Sequence, residues 1–244
     1  MGDACVCKAD ETQLTNPVRQ PARGSTPSTG FYASSDAARL AQIPRQRLDA
    51  WKRDGIIGPT LIATLDGDQA RGYTFEEVIL LRLARILRES KLSLIRAVET
   101  VKSIRERFGS PGPTWSEIRI YRAKRLIFVY RGDEWEFTVG SSDLAPDWSH
   151  QRAFPDLLLG ESDFSPMKDR VDALLVPTQF LPAVEIDPRA RNGMPVIRGT
   201  TITTGLIYAL REQGWTATAI QESYPHLKPA QIKAAINFEI YLDK

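Results

Sequence analysis

Cysteine and histidine are scarce in this 244-residue chain, with only Cys5 and Cys7 near the start and His150 and His226 far from them. Two thiolates without nearby imidazoles make a poor zinc site and leave no disulfide framework. No apolar run reaches the ~18–20 residues needed to cross a bilayer, so no membrane-spanning helix is expected. The first residues, Met1-Gly2-Asp3-Ala4-Cys5-Val6, lack the basic and apolar regions of a secretory signal. Val6 stands where N-myristoylation needs Ser or Thr. A cytoplasmic protein is expected.

Chemistry-bearing motifs are equally sparse. There is no glycine-rich phosphate loop, no metal quartet, and no Ser or Cys nucleophile set with His and an acid. His226 follows Pro225 with no acidic neighbour in sequence to orient it, which favours a structural or solvent-facing role over that of a base. Asp133, Glu134 and Glu136 cluster on one predicted hairpin, whereas a magnesium site draws on convergent groups. The chain is not expected to be an enzyme, and no catalytic residue, metal site or cofactor is assigned.

What is present is globular material: 42% hydrophobic and 25% charged residues, long enough for two modest domains. The net charge of +2 is unevenly spread. Residues 31–108 hold 14 Lys/Arg against 10 Asp/Glu, whereas residues 109–180 hold 8 against 11. The basic excess therefore lies on the N-terminal part, the sign that suits phosphate contacts.

The pattern predicts a mainly α fold with a small antiparallel β element. Residues 1–30 are rich in Ser, Thr, Pro, Gly and Gln and are expected to be a disordered tail. Ser35 is a candidate N-cap for a first short helix, and Pro44 a candidate first residue of a second, ended by Gly55. Leu40, Ile43, Leu48 and Trp51 would form their shared core, leaving Arg45, Gln46, Arg47 and Lys52 outside. Residues 61–65 and 71–73 around Asp66-Gly67-Asp68 predict a wing hairpin. Thr74 and Glu77 form a capping box for a third helix, with Arg82, Arg85 and Arg88 along one face. A fourth helix is expected over 92–108, with Ile95, Val98, Val101 and Ile104 as its apolar positions. Three strands at 118–121, 125–130 and 134–139 predict a meander within 114–140. Residues 141–180, irregular and acidic with scattered aromatics, read as a linker that packs partly on another part of the chain. The C-terminal unit, 181–244, is expected to be a three-helix domain with Thr216 as a cap and Pro229 opening the last helix. Within it, ahead of the helices, Asn192-Gly193-Met194-Pro195-Val196-Ile197-Arg198-Gly199-Thr200 reads as a β-like arm for a partner or a second copy, in preference to a phosphate cradle.

The stretches Tyr32-Ala33-Ser34-Ser35-Asp36-Ala37-Ala38-Arg39-Leu40, Ile43-Pro44, Trp51 with Gly55-Ile56-Ile57, and Arg71-Gly72-Tyr73-Thr74-Phe75-Glu76-Glu77 resemble, in order and spacing, the MerR-like winged helix-turn-helix family. The resemblance covers residues 32–101, within a domain bounded at 31–109. It implies a recognition helix over 44–53 and a wing ending at Tyr73. On that reading Arg45, Gln46 and Arg47 enter the major groove, while Lys52, Arg53 and Arg71 hold phosphates. Asp49 and Ala50 depart from the family, which usually has an arginine and an aromatic there.

Residues 184–242, through Gly193, Pro195, Ile197, Gly199-Thr200-Thr201-Ile202 and Tyr224-Pro225-His226-Leu227, look like the antitoxin-type domain of VapB-like proteins whose partners are PIN-fold ribonuclease toxins. Thr201 stands where many relatives have Arg. Together the resemblances imply an antitoxin that binds a PIN-domain toxin, through candidates Gly193, Pro195, Ile197, Arg198 and Gly199, and represses its own operator as a dimer or a higher toxin–antitoxin oligomer. The alternatives are a free-standing MerR-like regulator and a protein-binding scaffold.

Overall fold

The computed structural model describes residues 30–55, 57–65, 68–123, 126–132, 134–139 and 156–243. The expected N-terminal tail (all but Gly30), turn residues 66–67 and the first part of the expected linker lie outside them, as do the side chains of residues 134–139. The fold is mainly helical with small antiparallel sheets, as the sequence predicts.

Four helices build the N-terminal head: α1 (Ser34–Ala41), α2 (Arg45–Arg53), α3 (Phe75–Glu89) and α4 (Leu94–Phe108). The first starts one residue before the expected Ser35 cap, with Ala33 as an N-cap that makes no side-chain bond. Pro44 is the N-cap of α2 rather than its first residue. The turn between them passes through Gln42, whose left-handed φ of 54° lets the next N–H, that of Ile43, bond back to the Ala38 carbonyl at 2.8 Å. Ala37, Leu40, Ile43, Leu48 and Trp51 are buried and form the small core of this pair. The wing is the hairpin β1 (Leu61–Leu65) with β2 (Asp68–Gly72), in register from Leu61↔Gly72 to Leu65↔Asp68. Tyr32 and Tyr73 exchange backbone hydrogen bonds of 2.8 and 3.0 Å, so the chain's entry into the head is sewn to the end of the wing. A Cβ at Gly72 would collide with the Phe31 ring, which explains glycine in the Arg71-Gly72-Tyr73 run.

The capping box at the start of α3 is present in full: Thr74 Oγ1 accepts from Glu77 N–H at 3.0 Å, and Glu77 accepts from Thr74 N–H at 2.8 Å. Phe75, Val78, Ile79, Leu81, Leu83, Ala84 and Leu87 point inward from several sides, so α3 is the central helix of the molecule. In α4, Val98, Val101 and Ile104 are buried, but Ile95 is 69% exposed. The expected i, i+3, i+6, i+9 series cannot hold one face. Each three-residue step falls about 60° behind a full turn, so Ile95 and Ile104 lie about 180° apart.

The meander is present as β3 (Ile118–Ala123), β4 (Leu126–Arg131) and β5 (Glu134–Val139), and it gains a fourth strand, β6 (Asp156–Leu159), on the free edge of β3. The strand order is β5-β4-β3-β6, antiparallel throughout. Beyond β6 the stretch expected as a linker is built into the fold: Phe164, Met167, Leu174, Leu175 and Val176 are buried. Its anchor is the buried Asp172 carboxylate, which pairs with Arg170 at 2.5 Å and accepts from Ile186 N–H at 2.7 Å. Arg170 in turn donates to the carbonyls of Leu181 and Val184. The Arg170–Asp172 pair is local, but its remaining partners, the Ile186 N–H and the carbonyls of Leu181 and Val184, come from 11–14 residues further on.

The C-terminal unit starts with the two-residue strands β7 (Val184–Glu185) and β8 (Val196–Ile197), paired antiparallel. Three helices follow: α6 (Thr204–Glu212), α7 (Ala217–Ser223) and α8 (Pro229–Leu242), the fifth helix of the chain being the short α5 (Glu161–Phe164). Thr203 and Thr216 cap α6 and α7 through their hydroxyls. Ile197, Ile207, Ile220, Leu227, Ile232 and Ala235 form a separate small core. Phe238 and Leu242 instead reach the main core, which runs from Tyr32 through the sheet to α8.

The arm expected to reach a partner is folded back on its own chain. Gly193, Pro195 and Ile197 are buried: β8 pairs with β7, and Gly193 accepts a hydrogen bond from the Tyr32 hydroxyl. Only Arg198 and Gly199 of the five candidates are exposed, and both face Glu185.

Candidate nucleic-acid interface

The second helix carries its polar residues outward. Leu48 and Trp51 face the core, which leaves Arg45, Gln46, Asp49, Lys52 and Arg53 exposed along the opposite side and Arg47 exposed at its edge. Arg71 is exposed on the wing strand opposite Ile62. All six residues assigned to DNA from the sequence are therefore at the surface of one head, on α2 and the wing.

Asp49 sits among them. Its nearest cation is Arg45, one turn earlier at 3.9 Å, and both side chains are more than half exposed, so the pair contributes little to stability. Its charge also reaches the wing. The Tyr73 phenol is pushed up to about 12 by burial first and by the charges of Asp49 and Glu77 next.

Three features of this face escaped sequence reasoning. A groove of about 1010 Å³ opens beside the N-terminal turn of α2, where Arg45 and Arg47 meet Arg85 and Arg88 of α3 and the end of α8. The wall from α8 is the second feature, because nothing local in residues 229–242 shows that they lie against a head some 200 residues earlier. Arg39 of α1 bonds Asp243 at 2.7 Å and also the buried Glu239, while the Gln42 amide donates to the Tyr241 carbonyl at 3.0 Å. The third is Arg82, only 9% exposed beneath the groove, donating to the Gln42 side-chain oxygen and to the Tyr241 hydroxyl. Arg85 and Tyr241 donate to that same Gln42 oxygen, at 2.5 and 3.0 Å. The sequence placed Arg82, Arg85 and Arg88 on one helix face without showing what that face meets.

Among the described residues, no group of three His, Cys, Asp or Glu is arranged to hold a metal ion, and no helix is long and apolar enough to cross a membrane.

Two short helices joined by a tight turn, a hairpin wing and a row of outward cations define the head as a winged helix-turn-helix. Residues 32–104 match the family of MerR HTH regulatory proteins, and residues 184–238 match a second family, described as a protein of unknown function, DUF433. The chain thus carries a MerR-family helix-turn-helix domain followed by a DUF433 domain. Among solved structures it is similar to the X-ray crystal structure of Rv2018 from Mycobacterium tuberculosis, with 16% identity, 88% of this chain and 100% of that chain covered, and a TM-score of 0.49. No curated protein matches.

Proposed function

We propose that this protein is the antitoxin of a toxin–antitoxin pair, binding operator DNA through its head and a PIN-domain ribonuclease toxin through its C-terminal unit. The observation that carries the DNA half is the exposed set Arg45, Gln46, Arg47, Lys52 and Arg53 on α2, beside Arg71 on the wing. With about five phosphates neutralised, the logarithm of affinity should fall against the logarithm of salt with a slope of about −4 to −5. A mobility-shift titration on the DNA upstream of its own reading frame, repeated across salt concentrations, tests this. A salt-independent curve or no shift at all removes it. A dimer on paired half-sites is part of the reading, since one recognition helix gives limited specificity.

The toxin half rests on the resemblance of residues 184–242 and on where apolar surface is left open. Leu206 is 42%, Trp215 39% and Ile240 43% exposed, three large apolar side chains on one small unit. These replace the inward-turned arm as the candidate toxin contacts. Co-expression with the adjacent reading frame, followed by co-purification, tests the partnership. Were that neighbour to lack the spaced acidic residues of a metal-dependent nuclease, a free-standing MerR-like regulator would be the better description. No catalytic role and no cofactor is part of the proposal.

A further inference from the structure

The groove between α2, α3 and the end of α8 collects more positive charge than its own carboxylates absorb. Arg39 is matched by Glu239 and Asp243, Arg85 by Glu89 at 2.6 Å, and Arg45 loosely by Asp49. Arg47 and Arg88 have no acidic partner among the described residues, although both line the groove. Arg82 lies buried below with only neutral oxygens bonded to it and its Nε without a partner. Burial holds the pKa of that guanidinium below the ordinary arginine value. A desolvated cation with no carboxylate bonded to it, only the more distant charge of Glu89, is costly, and an anion brought into the groove would offset that cost. The first turn of α2 adds to the field. It has no acidic residue and no side-chain cap, so its free N–H groups and the positive helix end face the same space.

We propose that this groove is a phosphate channel that carries the sugar–phosphate backbone of duplex DNA beside the recognition helix, with Arg88 and Arg85 of α3 as contacts and the end of α8 as its outer wall. The proposal rests on the DNA-binding reading of α2. Duplex DNA is the occupant because the groove is continuous with the recognition helix: Arg45 and Arg47 belong to both. The opening is wide and carries Arg45, Arg47, Arg85 and Arg88 along its lining, unlike the enclosing pockets that bury a small molecule. The end of the C-terminal unit then shapes the DNA site, although it presents no recognition helix of its own there.

The test is fluorescence anisotropy of the full chain on a labelled mixed-sequence duplex of about 20 base pairs, long enough for two half-sites, over a potassium chloride series. Arg88→Gln should weaken binding about threefold and make the salt slope shallower by about one. Arg85→Gln with Arg88→Gln should weaken it about tenfold and take about two from the slope, equally on a second unrelated sequence. Arg88→Gln removes no ion pair among the described residues, so its thermal melting should match the parent and keep the result clear of folding defects. An unchanged slope in both variants, while Arg45→Gln with Arg47→Gln loses binding, overturns the channel and leaves the DNA-binding head standing. No binding by the parent chain removes both. Arg88-dependent binding of a poly-glutamate peptide, with DNA binding unaffected, overturns the channel in favour of an acidic protein segment.

Discussion

The Tyr32 hydroxyl donates a 2.7 Å hydrogen bond to the Gly193 carbonyl, joining the first residues of the head to the arm of the C-terminal unit across 161 positions of sequence. Gly193 has φ of +81°, and a Cβ there would overlap the Tyr32 ring. Gly193→Ala should therefore cost about 2–4 kcal/mol, from backbone strain and the displaced ring together. Tyr32→Phe, which leaves the carbonyl without its donor, should cost about 1–2 kcal/mol. Urea denaturation of both variants measures this, and an alanine variant as stable as the parent would falsify the contact.

Alkaline pH should act on the same phenol. Burial, then the charges of Asp172, Asp187 and Asp36, push Tyr32 far up, and Tyr73 is raised to about 12. Both are therefore protonated in the native state where the unfolded chain has released its phenolic protons. Their contribution is complete below the unfolded value of about 10 and is lost as pH rises above it. Thermal melting followed from pH 8 upward, an interval of about two units below that value, should stay level in this respect and then fall. Tyrosinate absorbance should show part of the seven tyrosines ionising only as the fold is lost.

Glu239 is 2% exposed and bridges Arg39 of α1 and the Thr204 hydroxyl at the start of α6. Glu239→Ala should cost about 2–3 kcal/mol, below the ~3–5 of a fully buried pair, because Arg39 is 34% exposed and keeps Asp243. Calorimetry on the variant checks the magnitude. Thr204→Val should lose less, since the stronger Arg39 contact survives.

Asp49 opposes its neighbours on the recognition face. Asp49→Asn should raise DNA affinity about threefold to tenfold at low salt and leave stability within about 0.5 kcal/mol, since its pair with Arg45 is long and exposed. The salt slope should steepen slightly. Weaker binding by the variant would show that Asp49 accepts from a base, such as a cytosine amine, instead of repelling phosphate.

The outer apolar side chains of the C-terminal unit predict a different loss. Leu206→Glu together with Ile240→Lys should abolish capture of the proposed toxin partner while the melting temperature stays within about 2–4 °C and DNA binding is unchanged. Pull-down from co-expressing cells, with anisotropy on DNA in parallel, separates these effects. Retained capture would move the partner surface elsewhere.

What could be read from the sequence was local. Thr74 with Glu77, Thr216 and Pro229 announce helix starts because capping acts over three or four residues. The exposed set on α2 was visible because Leu48 and Trp51 fix which side is inward. The groove was not visible. Its walls are arginines on α2 and α3 and a C-terminal helix whose apolar residues do not mark one narrow stripe, and only the fold brings them together. The arm failed for a related reason. Gly193 and Pro195 do mark a backbone needing special φ, but that need comes from Tyr32 and not from a partner.

Gln42 sets the turn before the recognition helix, and its side chain is also where α8 is tied down through Tyr241. The angle at which α2 meets DNA and the seat of the C-terminal unit thus share one residue. A ligand of that unit that favours one seating of α8 changes DNA affinity by some factor, and DNA must then change affinity for that ligand by the same factor. Under the proposed function, operator occupancy and toxin capture are two readouts of a single equilibrium, and the ratio of toxin to antitoxin would set repression without any additional sensor.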